Sequence, residues 1–243
     1  MIETLPIVGD TERRSHDSYT LSMLEVLAVP STGRVMKFDP RDGSVETLVD
    51  EVPFANGIQL SVDESFLIFA SCGHHRVFKH HLEGVKAGTT EVFFDPPGVP
   101  DNISPSPDGG FYIGVVSVEK DKQTKFFTIS SPLKLLRENA WLRTAAGNLI
   151  MNLINVVDFI DRLYPSPILK TIKFLVGNTE TGTLLAPAHA LVVRLDASGD
   201  VVEALHGTNG QLDKVCEGFA HGKWLYLGSP YAKMDFIARV PLH

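Results

Sequence analysis

Residues 54–82 read FANGIQLSVDESFLIFASCGHHRVFKHHL, and this stretch decides the fold class. It contains an Asn-Gly segment, an Asp-Glu turn, an apolar run at 66–70, a polar turn and a second run at 76–82. Short apolar runs bounded by turn residues are typical of β-strands. The stretch therefore predicts three consecutive strands joined by turns.

The same pattern returns twice further along the chain. Residues 101–118 read DNISPSPDGGFYIGVVSV, which places Asn102 46 positions after Asn56 and again puts a turn before an apolar strand. A third and weaker copy, KVCEGFAHGKWLYLGSPYAKMDFIARVPL, lies at 214–242. A repeat of about 40–50 residues with four strands is the signature of β-propeller blades.

Outer strands fill the intervals between the repeats, in the segments GRVMKFDP, SVETLVD, TTEVFFD and ALVVRLDASGDVVEAL. Counting them predicts sheets of three, four, four and three strands, or fourteen strands in all. A closed ring of six blades needs about 24 strands. The sequence therefore predicts an all-β fold, a partial β-propeller that forms one domain over residues 1–243.

One segment, at about 119–187, interrupts the strand pattern. Apolar residues recur there at helical spacing, at Leu149, Leu153, Val156, Val157 and Ile160. We expect a helical insertion within the third blade, with its apolar face packed on the propeller. A membrane-facing or substrate-capping role for an amphipathic helix is the alternative.

The charge balance and the cysteines exclude several classes of protein. With 22 basic and 29 acidic residues, the chain as a whole does not attract nucleic acid or anionic lipid. Cys72 and Cys216 lack the spacing of a zinc site or a disulfide framework, although one long-range bridge stays open. The sequence MIETLPIVGDTERRSHD lacks signal-peptide features, and no run of about 18 apolar residues predicts a membrane span. These features assign no compartment.

The segments FANGIQLSVDESFLIFA and PDNISPSPDGGFYIG resemble the strictosidine synthase-like family, which includes the adipocyte plasma membrane-associated proteins. HALVVRLDASG and WLYLGS support the resemblance, and FANGI and DNIS extend it distantly to the paraoxonases. The resemblance implies a six-bladed β-propeller of which this chain supplies about the last three and a half blades. Relatives of this kind are often found in the secretory pathway.

Three polar residues are the candidate metal ligands. Asn56 and the pair Asp101 and Asn102 begin inner strands of their blades, so propeller geometry directs them towards the central channel. The resemblance to calcium-dependent propeller hydrolases implies that these positions ligate Ca²⁺, which takes about 6–8 oxygen ligands. The remaining ligands would belong to earlier blades. The alternative is that all three residues satisfy backbone groups in tight turns.

The last repeat departs from strictosidine synthase at its catalytic position. The resemblance places Lys214 where that enzyme has the glutamate that acts as general base, and Glu217 follows three residues later. A lysine ammonium cannot accept a proton. We therefore expect no strictosidine synthase activity and a structural role for both residues.

The histidines do not predict a metal site. Two lie in a predicted turn, two are adjacent on a strand and point to opposite faces, and two are isolated in the sequence. We expect solvent-exposed turn and edge positions for the first four and structural roles for the others. The residues are His74, His75, His80, His81, His189 and His221.

Two functional hypotheses remain from the sequence. The first is a calcium-assisted hydrolase of esters or lactones, with calcium as its cofactor and a small molecule as its substrate. The second is a non-catalytic propeller that binds a ligand or acts as a scaffold, or an inactive fragment. Because incomplete blades leave backbone groups unpaired at sheet edges, we also expect self-association or a second chain that supplies the missing blades. Nucleic acid is not an expected partner, and membrane contact through the helical insertion belongs to the alternative of a membrane-facing helix.

Overall fold

A computed structural model of the chain describes residues 7–10, 31–118, 135, 139–177, 189–208, 210–229 and 236–242. The predicted insertion is described over 139–177, and most of the rest of 119–187 lies outside the described residues.

The strands form four antiparallel sheets, and strands that follow one another in the sequence are neighbours in each sheet. The first sheet holds β1 (Ile7–Asp10), β2 (Gly33–Phe38) and β3 (Val45–Val52), and the second holds β4 (Ala55–Leu60), β5 (Phe66–Ser71), β6 (Arg76–His81) and β7 (Thr90–Phe94). The third holds β8 (Gly98–Pro105), β9 (Phe111–Val118), β10 (Ala190–Leu195) and β11 (Val201–Gly207), and the fourth holds β12 (Glu217–His221), β13 (Trp224–Gly228) and β14 (Ala238–Pro241). The predicted count of three, four, four and three strands is confirmed within the described residues.

Strand β5 shows why the sheets stack as blades. Its six residues, FLIFAS, are all buried. Because successive side chains of a strand point to opposite faces, Leu67 and Phe69 pack towards the first sheet, whereas Phe66, Ile68 and Ala70 pack towards the third. A sheet with two buried faces needs a neighbour on each side.

Each pair of successive sheets encloses its own core. Val35 and Leu67 belong to the core between the first two sheets, and Ile68 and Leu191 to the core between the second and third. Val192, which follows Leu191 on β10, turns to the opposite face and packs in the core with Leu225 of the fourth sheet. This serial packing of three- and four-stranded antiparallel meanders is β-propeller architecture.

The predicted turn between β4 and β5 is closed by side-chain hydrogen bonds. The hydroxyl of Ser61 donates to the carbonyl of Phe66 at 2.8 Å, and Asp63 accepts hydrogen bonds from the hydroxyl and the amide of Ser65. Serine and aspartate favour turns because their short side chains bond to nearby backbone groups. The segment SVDES therefore reverses the chain and aligns β4 with β5.

Within the described part of the segment between β9 and β10, the chain forms helices α1 (Ala140–Leu163) and α2 (Pro167–Gly177). Asn139 caps α1 by accepting a hydrogen bond from the amide of Leu142 at 3.0 Å. Pro165 lies in the turn after α1, and the backbone amide of Ser166 donates a hydrogen bond to Oδ1 of Asp161 at 3.0 Å. These contacts form a helical hairpin.

The helices do not cover the propeller as we expected from the sequence. They pack against each other, and Leu149 and Leu153 of α1 are 61% and 54% exposed. Helical spacing identifies an apolar face, but it does not identify the surface that covers that face. Neither described helix is long and apolar enough to cross a membrane.

Candidate functional site

The inner strands β4 and β8 of neighbouring sheets carry the three predicted ligands. Asn56 lies on β4, and Asp101 and Asn102 lie on β8. The two strands approach closely because Gly57 has no side chain. A Cβ atom at Gly57 would lie 2.5 Å from both the Asp101 carbonyl oxygen and the Ile103 nitrogen.

The structure brings the side chains of Asn56 and Asp101 together although they are 45 residues apart. Nδ2 of Asn56 donates to Oδ1 of Asp101 at 2.5 Å. The same amide nitrogen lies 3.4 Å from Sγ of Cys72. Asn102 is held through its backbone, since its amide donates to the carbonyl of Cys216 at 3.1 Å. The side chains of Asn56 and Asp101 thus join the second sheet to the third, and the backbone of Asn102 joins the third sheet to the segment before β12.

Two buried thiols, which the sequence did not associate with this site, line the polar pair. Cys72 donates to the carbonyl of Pro100 at 3.1 Å, and Cys216 hydrogen-bonds to the Asp101 carboxylate. Burial raises the pKa of both thiols, and the nearby Asp101 charge raises it further. Both cysteines are free, so the long-range bridge left open by the sequence is not formed.

The carboxylate of Asp101 lies in an environment that disfavours its charge. Burial raises the pKa of Asp101, the hydrogen bonds from Cys216 and Asn56 oppose this shift, and the charge of Glu217 adds to it. Within the described part of the chain, these influences include no positive charge. Glu217 is half-buried at the start of β12. Its carboxylate is close enough to that of Asp101 for its charge to raise the pKa of Asp101.

The chemistry of these donors suits a hard cation. Carboxylate and amide oxygens are the ligands that Ca²⁺ prefers, whereas the two thiol sulfurs suit softer metals. A complete Ca²⁺ shell has about 6–8 oxygen ligands. At about one oxygen from each side chain, the candidate ligands supply fewer than this number. These candidates are Asn56, Asp101, Asn102 and Glu217. Among the residues that the structure describes, no group of three acidic, histidine or cysteine side chains is arranged to hold a metal ion. The residues fit part of a calcium site.

Lys214, which the resemblance aligns with the catalytic glutamate of strictosidine synthase, is engaged in an ion pair. Its Nζ lies 2.9 Å from Oδ2 of Asp213, and the two side chains are 7% and 2% exposed. The backbone of Lys214 is in the left-handed region at φ 48°. The side chain therefore serves the packing of the segment before β12.

The histidines differ from the sequence expectation in two respects. His75 and His80 are buried rather than solvent-exposed, and Nδ1 of His80 lies 2.9 Å from Oγ1 of Thr90. His189, which is isolated in the sequence, has Nε2 2.9 Å from Nδ1 of His206 on β11. Antiparallel pairing of β10 with β11 brings these two rings together, and single-sequence spacing carries no signal for it.

The serial antiparallel meanders and the polar cluster on their inner strands define a β-propeller-type protein. A family model described as strictosidine synthase matches residues 10–85. The adipocyte plasma membrane-associated protein Hemomucin of Drosophila melanogaster is 34% identical over 210 residues, which cover 86% of this chain and 35% of that protein. The adipocyte plasma membrane-associated protein of Mus musculus is 28% identical over 222 residues, which cover 90% and 45% of the two chains.

The chain belongs to the family of strictosidine synthase-like and adipocyte plasma membrane-associated proteins. It spans less than half the length of these two relatives. Among solved structures, the calcium-binding protein regucalcin from Agrobacterium tumefaciens superposes with a TM-score of 0.45 at 12% identity, covering 86% of this chain and 48% of that chain.

Proposed function

We propose that the cluster of Asn56, Asp101 and Asn102 contributes ligands to a Ca²⁺ ion and that the propeller is a calcium-assisted hydrolase of esters or lactones. The observation that supports this proposal is the half-buried Asp101 carboxylate, whose pKa is raised and whose contacts are an amide and a thiol. Withdrawing a carboxylate from water is costly without a compensating charge, and a bound cation supplies that charge.

The chain's own residues would divide the work at this site. Asp101 and Glu217 would supply negative charge to the ion, and the Asn56 amide would supply a neutral oxygen ligand. When bound, Ca²⁺ polarises a substrate carbonyl and stabilises the negative charge that develops on its oxygen. Further ligands are expected from blades that precede the second sheet in the assembled propeller.

Calcium titration by isothermal calorimetry tests the proposal. Because the cluster has few donors, we expect a dissociation constant of about 0.1–1 mM for the chain alone. Asp101→Asn should weaken binding at least about tenfold, since it removes a full charge from the shell. Asp95→Asn is the matched control, because Asp95 is an exposed partner of Arg76, and it should bind as the parent chain does. Equal calcium affinity in the Asp101 and Asp95 variants would contradict the assignment.

Hydrolysis tests the enzymatic half of the proposal. We expect turnover of an aryl ester or a lactone to be lost on chelation of calcium and in both Asn56→Ala and Asp101→Ala, while the far-ultraviolet circular dichroism of the chain is retained. Turnover that survives chelation would leave the ion without a catalytic role. Calcium binding without turnover would instead favour a non-catalytic propeller. The observation that supports this alternative is the ion pair of Lys214, which the resemblance aligns with the catalytic glutamate of strictosidine synthase.

The raised pKa of Asp101 predicts a pH dependence of stability in the absence of calcium. Because the folded chain holds this proton more tightly than the unfolded chain, the free energy of unfolding should rise as the pH falls from neutrality through the raised pKa. The rise should end below the ordinary value of 3.8. Asp101→Asn should be more stable than the parent at neutral pH and should lose this part of the pH dependence. Urea unfolding at several pH values measures the effect, and a less stable Asp101→Asn at neutral pH would contradict it.

A further inference from the structure

An apolar stripe runs along the exposed side of helix α1. Five large apolar residues lie at alternating intervals of four and three positions, which places them on one face of the helix. Each is between 41% and 61% exposed. We call this set the apolar stripe, and its residues are Leu149, Leu153, Val156, Ile160 and Leu163.

Helix α2 does not cover this stripe. The residues of α1 that are half-buried, including Ile150 and Val157, lie on the flank next to the stripe, and α2 packs against α1. The helix α2 adds exposed apolar residues of its own, since Ile168 and Ile172 are 71% and 39% exposed. The hairpin therefore presents apolar side chains from both helices.

Aromatic residues lie at both ends of α1 and beside the stripe. Trp141 is 74% exposed at the first turn, Tyr164 is 75% exposed just after the last, and Phe159 is 63% exposed. Tryptophan and tyrosine prefer the boundary between the headgroups and the acyl chains of a bilayer, because each has an apolar body and a polar group.

The hairpin also differs in charge from the rest of the chain. Residues 139–177 carry four basic and two acidic side chains, whereas the whole chain has 22 basic and 29 acidic residues. Lys170 is exposed on α2, which has no acidic residue. A positively charged apolar hairpin on a negatively charged protein is complementary to an anionic lipid surface.

We propose that the hairpin 139–177 binds the surface of an anionic lipid bilayer, with the apolar stripe inserted at the level of the headgroups. Neither described helix is long and apolar enough to cross a membrane, so the hairpin lies on the bilayer. The anionic lipid attracts the hairpin, and the apolar stripe supplies most of the binding free energy.

Vesicle cosedimentation tests the proposal on the full chain. The probes are vesicles of phosphatidylcholine alone and with about 30% phosphatidylserine, at low and high salt. We expect stronger binding to the anionic vesicles and a loss of that preference at high salt. The double variant Leu153→Glu with Ile160→Glu should lower the partition coefficient at least about tenfold, because two apolar contacts with lipid are replaced by charges. The matched control is Val62→Glu with Val85→Glu, two exposed valines in turns of the second sheet, and it should bind as the parent does.

Trp141 gives a second readout that does not depend on a change in the stripe. In a Trp224→Phe background it is the only tryptophan, and its emission should shift to shorter wavelength when anionic vesicles are added. Equal vesicle binding by the stripe and control variants would overturn the proposal. The proposal would also be overturned if the parent chain failed to bind vesicles and light scattering showed a dimer that the stripe variant converts to a monomer. A second copy of the chain would then be the partner of the stripe.

Discussion

Replacing Gly57 with alanine is expected to destabilise the chain by at least about 3 kcal/mol, at the upper end of single overpacking substitutions. The added Cβ would lie 2.5 Å from the Asp101 carbonyl oxygen and from the Ile103 nitrogen, and 2.7 Å from the Asn102 Cα. All three atoms belong to the backbone of β8, so no side-chain rotation relieves the collision. The second and third sheets would have to separate along their inner strands.

Urea unfolding followed by circular dichroism measures this loss, with Gly228→Ala as the matched control. Gly228 also lies in a strand, and a Cβ there would meet nothing within 4 Å. We expect the control to stay within about 0.5 kcal/mol of the parent. Because the collision moves Asp101 away from Asn56, Gly57→Ala should also weaken calcium binding. A Gly57→Ala chain as stable as the control would mean that β4 and β8 are further apart than the structure shows.

The repeat could be read from the sequence because strands and turns leave local signals. The run at 66–70 is apolar throughout, which indicates a strand buried on both faces, and the SVDES turn has residues that bond to nearby backbone groups. Asn56 and the pair Asp101 and Asn102 could be assigned to one region from their equivalent places in successive repeats, and the structure places the side chains of Asn56 and Asp101 in contact. In each case the pattern lies within one repeat or recurs at its period.

The neighbours of the site could not be predicted, because they come from other strands without a shared pattern. Cys72 follows β5, Cys216 precedes β12, and both reach Asp101 only because three sheets converge there. Glu217 approaches the same carboxylate by the same convergence. The pairing of His189 with His206 depends on the register of β10 with β11, which one sequence does not reveal.

The exposure of helix α1 illustrates a different limit. The helical spacing of Leu149, Leu153 and Val156 was sufficient to predict an apolar face. The expectation that the propeller covers this face was wrong, because the spacing of apolar residues is the same whatever surface covers them. The exposure of the apolar face and the charge of the hairpin are the additional observations that distinguish packing on the propeller from contact with another surface. The charge balance of residues 139–177 can be read from the sequence, but the exposure of the face is a property of the folded hairpin.

Removal of the Lys214 side chain is expected to destabilise the chain by about 3–5 kcal/mol. Lys214→Met keeps a side chain of similar length but leaves the carboxylate of Asp213 buried without the ammonium that lies 2.9 Å away. Keeping the Asp213 charge buried without this ammonium costs more than the original pair gains, so replacing the carboxylate with an apolar side chain should recover stability. We therefore expect the double variant Lys214→Met with Asp213→Leu to be more stable than Lys214→Met alone.

The exposed pair of Lys37 and Glu46 provides the comparison, because its atoms are 3.7 Å apart and its side chains are 42% and 66% exposed. Lys37→Met should change the free energy of unfolding by no more than about 1 kcal/mol, since water screens the pair. Urea unfolding of the three variants and the parent chain separates the effect of burial from that of charge on the free energy of unfolding. If Lys214→Met and Lys37→Met lost the same stability, the ammonium of Lys214 would be solvated, and the position before β12 would be open to substrate chemistry after all.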